Sequence, residues 1–210
     1  MRLLAIDSAT EACSVALFDD GALIAGDYRL LGRGHAEQLV PMIAALPGQG
    51  RADRIAVSLG PGSFTGVRVG LAAARALSFA WGAELVGYPT LALVGAMARD
   101  QHGATPVCVA MTGGHGEWFC EAQDEKGQTI RPLASLRPDE ACAAPEHLVA
   151  GSQAEALVTR RNSGVATALL PDARCVHLLP ADIFSCDVHP LYGRAPDAKL
   201  PGGKSPEQHA

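Results

Sequence analysis

The stretch SLGPGSFTGVRVGLAAARAL, Ser58 to Leu77, decides how the chain is read. Glycines at 60, 62 and 66 make a tight turn that runs straight into a helix of small residues. Such turns often cradle phosphate, because the first amides of a helix point forward unpaired. The standard signatures are nonetheless missing. A P-loop requires GxxxxGK[ST], and no lysine follows Gly62 or Gly66 at that spacing. A dinucleotide fingerprint requires GxGxxG, and Thr65 stands where the third glycine belongs. Two readings stay open. One is a plain strand-to-helix bend; the other is an anion site at a helix start capped by Ser63 or Thr65, with Arg68 assisting.

The helix that follows is more informative. Gly66, Val69, Gly70, Ala73, Ala76, Leu77 and Ala80 recur at steps of three and four and therefore share a face. A face this small lets another helix approach closely, and many weak dispersion contacts then add up. It packs either on this chain's own helix around Leu39 and Ile43 or on another chain.

Working outward, RIAVSLG before the turn reads as a buried strand. Upstream, GHAEQLVPMIAALPG carries Ala36, Leu39, Val40, Ile43 and Leu46 at helical spacing, and Pro41 should bend it. The opening RLLAIDSATEACSVALFDDGALIAGDYRL reads as three strands with a DDG hairpin turn. Asp7 ends the first strand, followed by Ser8 and Thr10. An acid at such a turn is where actin- and hexokinase-like ATPases position metal and phosphate; equally, it bonds the turn backbone. Gly82 can terminate the small-residue helix; downstream, ELVGYPTL is a strand and turn, and TLALVGAMARD another helix.

After residue 102 the pattern restarts. PVCVAMTGGHGEWFCEAQDEKG is again strand, turn, strand and acidic hairpin, a weak internal duplication. HLVAGS then reads as a strand and QAEALVTRR as a short helix. The expected division is an N-terminal lobe over 1–102, a smaller lobe over 103–192 and a Pro/Gly-rich tail over 193–210. Alternating strands and helices with an antiparallel opening indicate an α/β protein with mixed sheets.

Composition narrows the function classes. The 210 residues are 48% hydrophobic and 19% charged, ordinary for a folded chain, and the net charge of −5 argues against a broad nucleic-acid surface. Any role with RNA would run through another subunit. MRLLAIDSATE is too short for an export signal, and no apolar run approaches a membrane span, so a cytoplasmic location is expected. The six cysteines form no CxxC pair and no zinc spacing. The histidines are scattered, and Leu39 stands four residues after His35, so no HxxxH metal pair exists. Asp19/Asp20 and Asp124/Glu125 fall at hairpin turns, and there is no GxSxG elbow.

With these residues in view, the chain resembles the bacterial TsaB (YeaZ) family. LAIDSATEACSVALF, HAEQLVPMI and SLGPGSFTGVRVGLAAARAL are similar to its most characteristic segments, and GEWF (116–119), LVAGSQA (148–154) and PLYGRAPDAK (190–199) to weaker landmarks. Two departures stand out. Thr112, Gly113 and Gly114 occupy a place where Asp-Ala-Arg is usual, and Gly193 one where leucine is usual.

The resemblance implies a two-lobed actin/hexokinase/Hsp70-like (ASKHA) fold with a reduced second lobe. It implies a non-catalytic partner of a TsaD-like paralogue, which transfers threonylcarbamoyl to adenosine 37 of ANN-decoding tRNAs. A TsaE-like ATPase joins them, tRNA is reached only through the complex, and a homodimer forms when the partner is absent. The chain would need no catalytic residue, metal or cofactor of its own, although a nucleotide at a subunit interface is compatible. The partner contact implied on the two N-lobe helices comprises Leu39, Val40, Ile43, Val69, Gly70, Ala73 and Ala76. Asp7, Ser8, Thr10, Gly60, Gly62, Ser63, Thr65 and Arg68 are then a vestigial phosphate or nucleotide loop. The main alternative is a small ATPase or kinase of the same fold, acting alone through Asp7 and the 60–66 turn. A metallopeptidase would need ligands that the sequence does not supply.

Overall fold

The computed structural model describes residues 1–193, so all of the expected tail except Gly193 lies outside the described residues. Strands β1 (Arg2–Asp7), β2 (Ala12–Asp19) and β3 (Ala22–Leu30) form an antiparallel meander. β4 (Arg54–Ser58) and β5 (Glu84–Tyr88) then extend the sheet in parallel on the other side of β1, giving the order β3-β2-β1-β4-β5. β1 and β2 read as nearly continuous apolar runs because both faces of the sheet are covered.

Residue alternation sorts the two faces. Leu4, Ile6, Val15 and Leu17 point toward α1 (His35–Ala45) and α2 (Phe64–Trp81), where Leu39, Met42, Ile43, Val67, Leu71 and Ala74 meet them. Ala5, Ala16, Ala56, Val86 and Tyr88 point the other way, toward α3 (Thr90–His102). Pro41 lies inside α1, and Gly82 ends α2 in the left-handed conformation.

The second lobe repeats this plan in reduced form. Its strands are β6 (Val107–Thr112), β7 (Trp118–Gln123), β8 (Thr129–Leu136), β9 (Leu148–Ala150) and β10 (Val165–Thr167). They lie in the order β8-β7-β6-β9-β10, antiparallel on one side of β6 and parallel on the other, as around β1. The short helices α4 (Pro138–Ala141) and α5 (Ala154–Arg161) pack on this sheet. The reduction falls on β9 and β10, of three residues each.

One boundary differs from the sequence reading. Residues 172–191 leave the second lobe and return to the first. The 3-10 turn Ala173–Leu178 covers the sheet face beside α3, with Ala173, Val176 and Leu179 against Ala16 and Phe18. The Ala173 amide donates to Ser14 Oγ at 2.9 Å, Ser185 bridges Gly87 on β5, and the Leu191 amide donates to the Leu59 carbonyl at 2.8 Å. The physical reason is that α3 alone is too narrow to cover that face.

Candidate functional site

The turn from Ser58 to Gly66 is shaped by what lies behind it. Ser63 caps α2 by accepting from the Gly66 amide at 3.3 Å. The glycines bring α2 against the β1–β2 turn. A Cβ on Gly62 would sit 2.0 Å from the Ala9 carbonyl oxygen, and one on Gly66 would sit 2.1 Å from that of Ser8. At Gly70 a Cβ would meet Ser8 Oγ at 2.5 Å. Ser8 Oγ donates to the Gly66 carbonyl at 2.8 Å, and the Ser63 amide donates to Ala9 O at 2.6 Å. Two carbonyl oxygens of the chain therefore stand against the start of α2 on the side of the β1–β2 turn.

Asp7 is sealed beneath this contact. It is 0% exposed, accepts from the Ala9 amide at 3.0 Å and from the Tyr88 hydroxyl at 3.3 Å. Burial pushes its carboxyl up to about 6, against the pull of these hydrogen bonds. The same burial, with Asp7 alongside, raises the Tyr88 hydroxyl well above its ordinary value.

In front of the turn lies a cleft of about 1180 Å³ between the lobes. Thr10, Gly62, Ser63, Thr65 and Arg68 line it, whereas Asp7, Ser8 and Gly60 do not. The eight residues of the expected phosphate loop are thus divided between a cleft wall and a closed core. Arg68 is stacked over the Phe64 ring, 3.5 Å from its centroid, and donates to the Tyr192 hydroxyl at 3.2 Å. The opposite wall carries Thr112, Gly113, Gly114, Phe119 and Ser152. Gly113 makes a tight turn, its amide donating to Glu117 O at 2.9 Å. Gly193 passes so close to Phe119 that a Cβ would lie 2.3 Å from the ring, a steric reason for glycine there.

The helix pair α1–α2 divides differently from its expected face. Leu39, Ile43 and Gly70 are buried in the chain's own core and are withdrawn from any docking surface. The buried stripe of α2 is Gly66, Val67, Gly70, Leu71 and Ala74. Val69 and Ala73 flank it half-buried, and Ala76 is exposed. On α1, Val40 is 57% exposed, beside exposed Pro41 and Ala44. Sequence reasoning missed Phe79, which is 92% exposed on α2 next to Ala76 and Ala80. The usable signal was a large aromatic three residues beyond Ala76, on the outward flank of the small-residue stripe.

His35, at the start of α1, is buried with Nε2 3.3 Å from Ala12 O, a packing role. No cluster of three or more His, Cys, Asp or Glu that could hold a metal occurs among the described residues. No helix among them is long and apolar enough to cross a membrane.

The chain as a whole is similar to known proteins. The family model described as TsaD, tRNA N6-adenosine threonylcarbamoyltransferase, matches residues 29–172. The tRNA threonylcarbamoyladenosine biosynthesis protein TsaB of Escherichia coli is 40% identical over 134 residues, 60% of this chain and 58% of that protein. The match therefore spans somewhat over half the length of that relative. The solved structure of YeaZ from Pseudomonas aeruginosa superposes with a TM-score of 0.74 at 27% identity, over 91% of this chain and 99% of that one. The ethanolamine utilization protein EutJ from Carboxydothermus hydrogenoformans, 13% identical, gives a TM-score of 0.51 over 86% of this chain and 90% of its own, a likeness of fold alone. The two-lobed ASKHA architecture with mixed sheets agrees with both structures.

Proposed function

We propose, on the premise that the chain belongs to the TsaB (YeaZ) branch of the TsaD family, that it is the non-catalytic partner of a TsaD-like transferase. In this reading it supports threonylcarbamoyladenosine modification of ANN-decoding tRNAs in the cytoplasm. One observation carries it. The Ser8 and Ala9 carbonyls seat the start of α2 on the chain's own β1–β2 turn, while the outer side of the α1–α2 pair turns apolar residues to solvent.

The docking face is Val40, Val69, Ala73 and Ala76 from the original set, with Phe79 added as its large anchor. Small residues around one exposed aromatic suit close helix packing, and aromatic anchors carry a large share of interface energy. A partner of the same fold offers an equivalent helix pair. The same patch serves a second copy of this chain when the partner is absent. A TsaE-like ATPase and any nucleotide bind to the assembled complex, and tRNA is held chiefly by the partner.

The test is reconstitution of tRNA modification with TsaD-like and TsaE-like proteins. The reading expects modification to require this chain and to survive Asp7→Asn. Loss of modification with a folded Asp7→Asn protein would contradict it.

The interlobe cleft favours one competing reading, a small ATPase or kinase acting alone. Its volume and its Ser63, Thr65 and Arg68 wall suit a polar ligand. Against it, Asp7 has no path to that cleft. ATP turnover by the isolated chain, abolished by Asp7→Asn, would support this alternative.

A further inference from the structure

The helix that links the two lobes is buried on every side. Each residue of α3 from Thr90 to Ala98 is buried. Leu93 and Met97 pack with Val86 and Tyr88 of the first sheet, while Leu91, Val94 and Ala98 pack with Val107, Val109 and Ala150 of the second. Into this layer the second lobe inserts one polar side chain. Gln123, the last residue of β7, is 1% exposed.

Its hydrogen bonds are nearly complete. Gln123 Nε2 donates to the Leu91 carbonyl at 3.0 Å and to Glu121 Oε1 at 2.9 Å. Gln123 Oε1 accepts from Arg99 Nη1 at 2.9 Å. The amide stands between a cation and an anion, oxygen toward the one and nitrogen toward the other, so both charge–dipole contacts attract. α3 makes room for it at Gly95, where a Cβ would lie 2.0 Å from Gln123 Oε1. Burial lowers the Arg99 guanidinium, against the attraction of Asp124, and raises the Glu121 carboxyl, so each partly desolvated group gains a hydrogen bond from this amide.

We propose that Gln123 is a bolt through α3 that fixes the angle between the lobes, so that the chain presents its surfaces as one rigid body. A hinge needs a boundary where groups slide without losing polar partners. Rotation of β7 against α3 would pull Gln123 off the Leu91 carbonyl and Arg99, both on α3, leaving the buried amide and the Leu91 carbonyl unpaired. A second crossing lies at the chain's return, where Gly193 abuts Phe119 of the second lobe two residues after Leu191 bonds to Leu59 of the first. The cleft volume is then a fixed property of the fold.

The test is the distance between spin labels on the two lobes, measured by electron–electron double resonance on the full chain. Arg51→Cys and Glu155→Cys supply exposed sites, with Cys142, Cys175 and Cys186 replaced by serine. The proposal expects one narrow distance distribution, unmoved by magnesium ATP, and a broadened distribution in Gln123→Met. A Gln123→Met protein that melts earlier but keeps the narrow distribution would overturn it, because Gln123 would then serve stability alone. If that variant does not fold, the unsubstituted lobes decide. A broad or two-peaked distribution, or a shift on adding magnesium ATP, would equally overturn the proposal.

Discussion

Gly66 lies so close to Ser8 that a β-carbon on it would sit 2.1 Å from the Ser8 carbonyl oxygen. The contact is between backbone and backbone, and Ser8 Oγ closes it by donating to the Gly66 carbonyl at 2.8 Å. The glycine that suggests a phosphate cradle in the sequence is a seat for the chain's own turn.

Gly66→Ala should therefore destabilise the fold by about 3 kcal/mol, the upper range for overpacking where no flexible side chain can give way. Gly82→Ala is the comparison. Gly82 has φ 66° but nothing within 4 Å of its missing β-carbon, so only backbone strain of about 1 kcal/mol is at stake. Denaturant midpoints of both variants measure the difference. Equal losses would mean that α2 does not depend on its approach to the β1–β2 turn.

Asp7 gives a pH prediction of unusual sign. Burial raises its carboxyl to about 6, above its ordinary value of 3.8, so the folded chain holds this proton more tightly than the unfolded chain. The stability it contributes is complete below about pH 4 and is lost as pH rises through about 6. Asp7→Asn removes the titration. Asn Oδ1 can still accept from the Ala9 amide, and its Nδ2 can donate to the Tyr88 oxygen once the single Tyr88 proton, in reach of both Asp7 and Ile6 O, turns to Ile6 O at 3.0 Å. The variant should match the natural chain near pH 4 and exceed it by about 3 kcal/mol at pH 8. Chemical denaturation at the two pH values checks this; a variant that is weaker at pH 8 would refute it.

The return of residues 172–178 to the first lobe hangs on Ser14. Its hydroxyl oxygen accepts from the buried Ala173 amide at 2.9 Å, and both residues are 0% exposed. Ser14→Ala leaves that amide unpaired and should cost about 2 kcal/mol. The thermal midpoint reads the loss, and proteolysis should cut first within 172–178. Cleavage elsewhere would show that this segment is held by its apolar contacts instead.

The five strands of the first sheet and the first three helices were legible, from runs such as LLAI and RIAVS for buried strands and steps of three and four for α1 and α2. The returning segment was not legible, since ARCVHL is a 3-10 turn whose partners lie over a hundred residues upstream. β8 escaped because Pro132 interrupts it and its residues are half-buried without alternation. At the candidate site, spacing placed the small-residue stripe on one side of α2 but not its rotation. Val67, Leu71 and Ala74 turn that side inward by about one residue, which buries Gly70 and leaves Ala76 and Phe79 outside. The closed state of Asp7 depends on Tyr88, distant in sequence, and no local pattern announces it.

The central claim is that the outer side of α1 and α2 docks a TsaD-like partner. Titration calorimetry of that partner with the natural chain, Ala76→Arg and Phe79→Ala tests it most directly. Both positions are exposed, so the variants should fold and melt as the natural chain does. The account predicts that Phe79→Ala weakens binding about thirtyfold, the loss of a 2 kcal/mol anchor, and that Ala76→Arg removes measurable binding. Undiminished affinity in both folded variants would contradict it and move the docking surface elsewhere on the molecule.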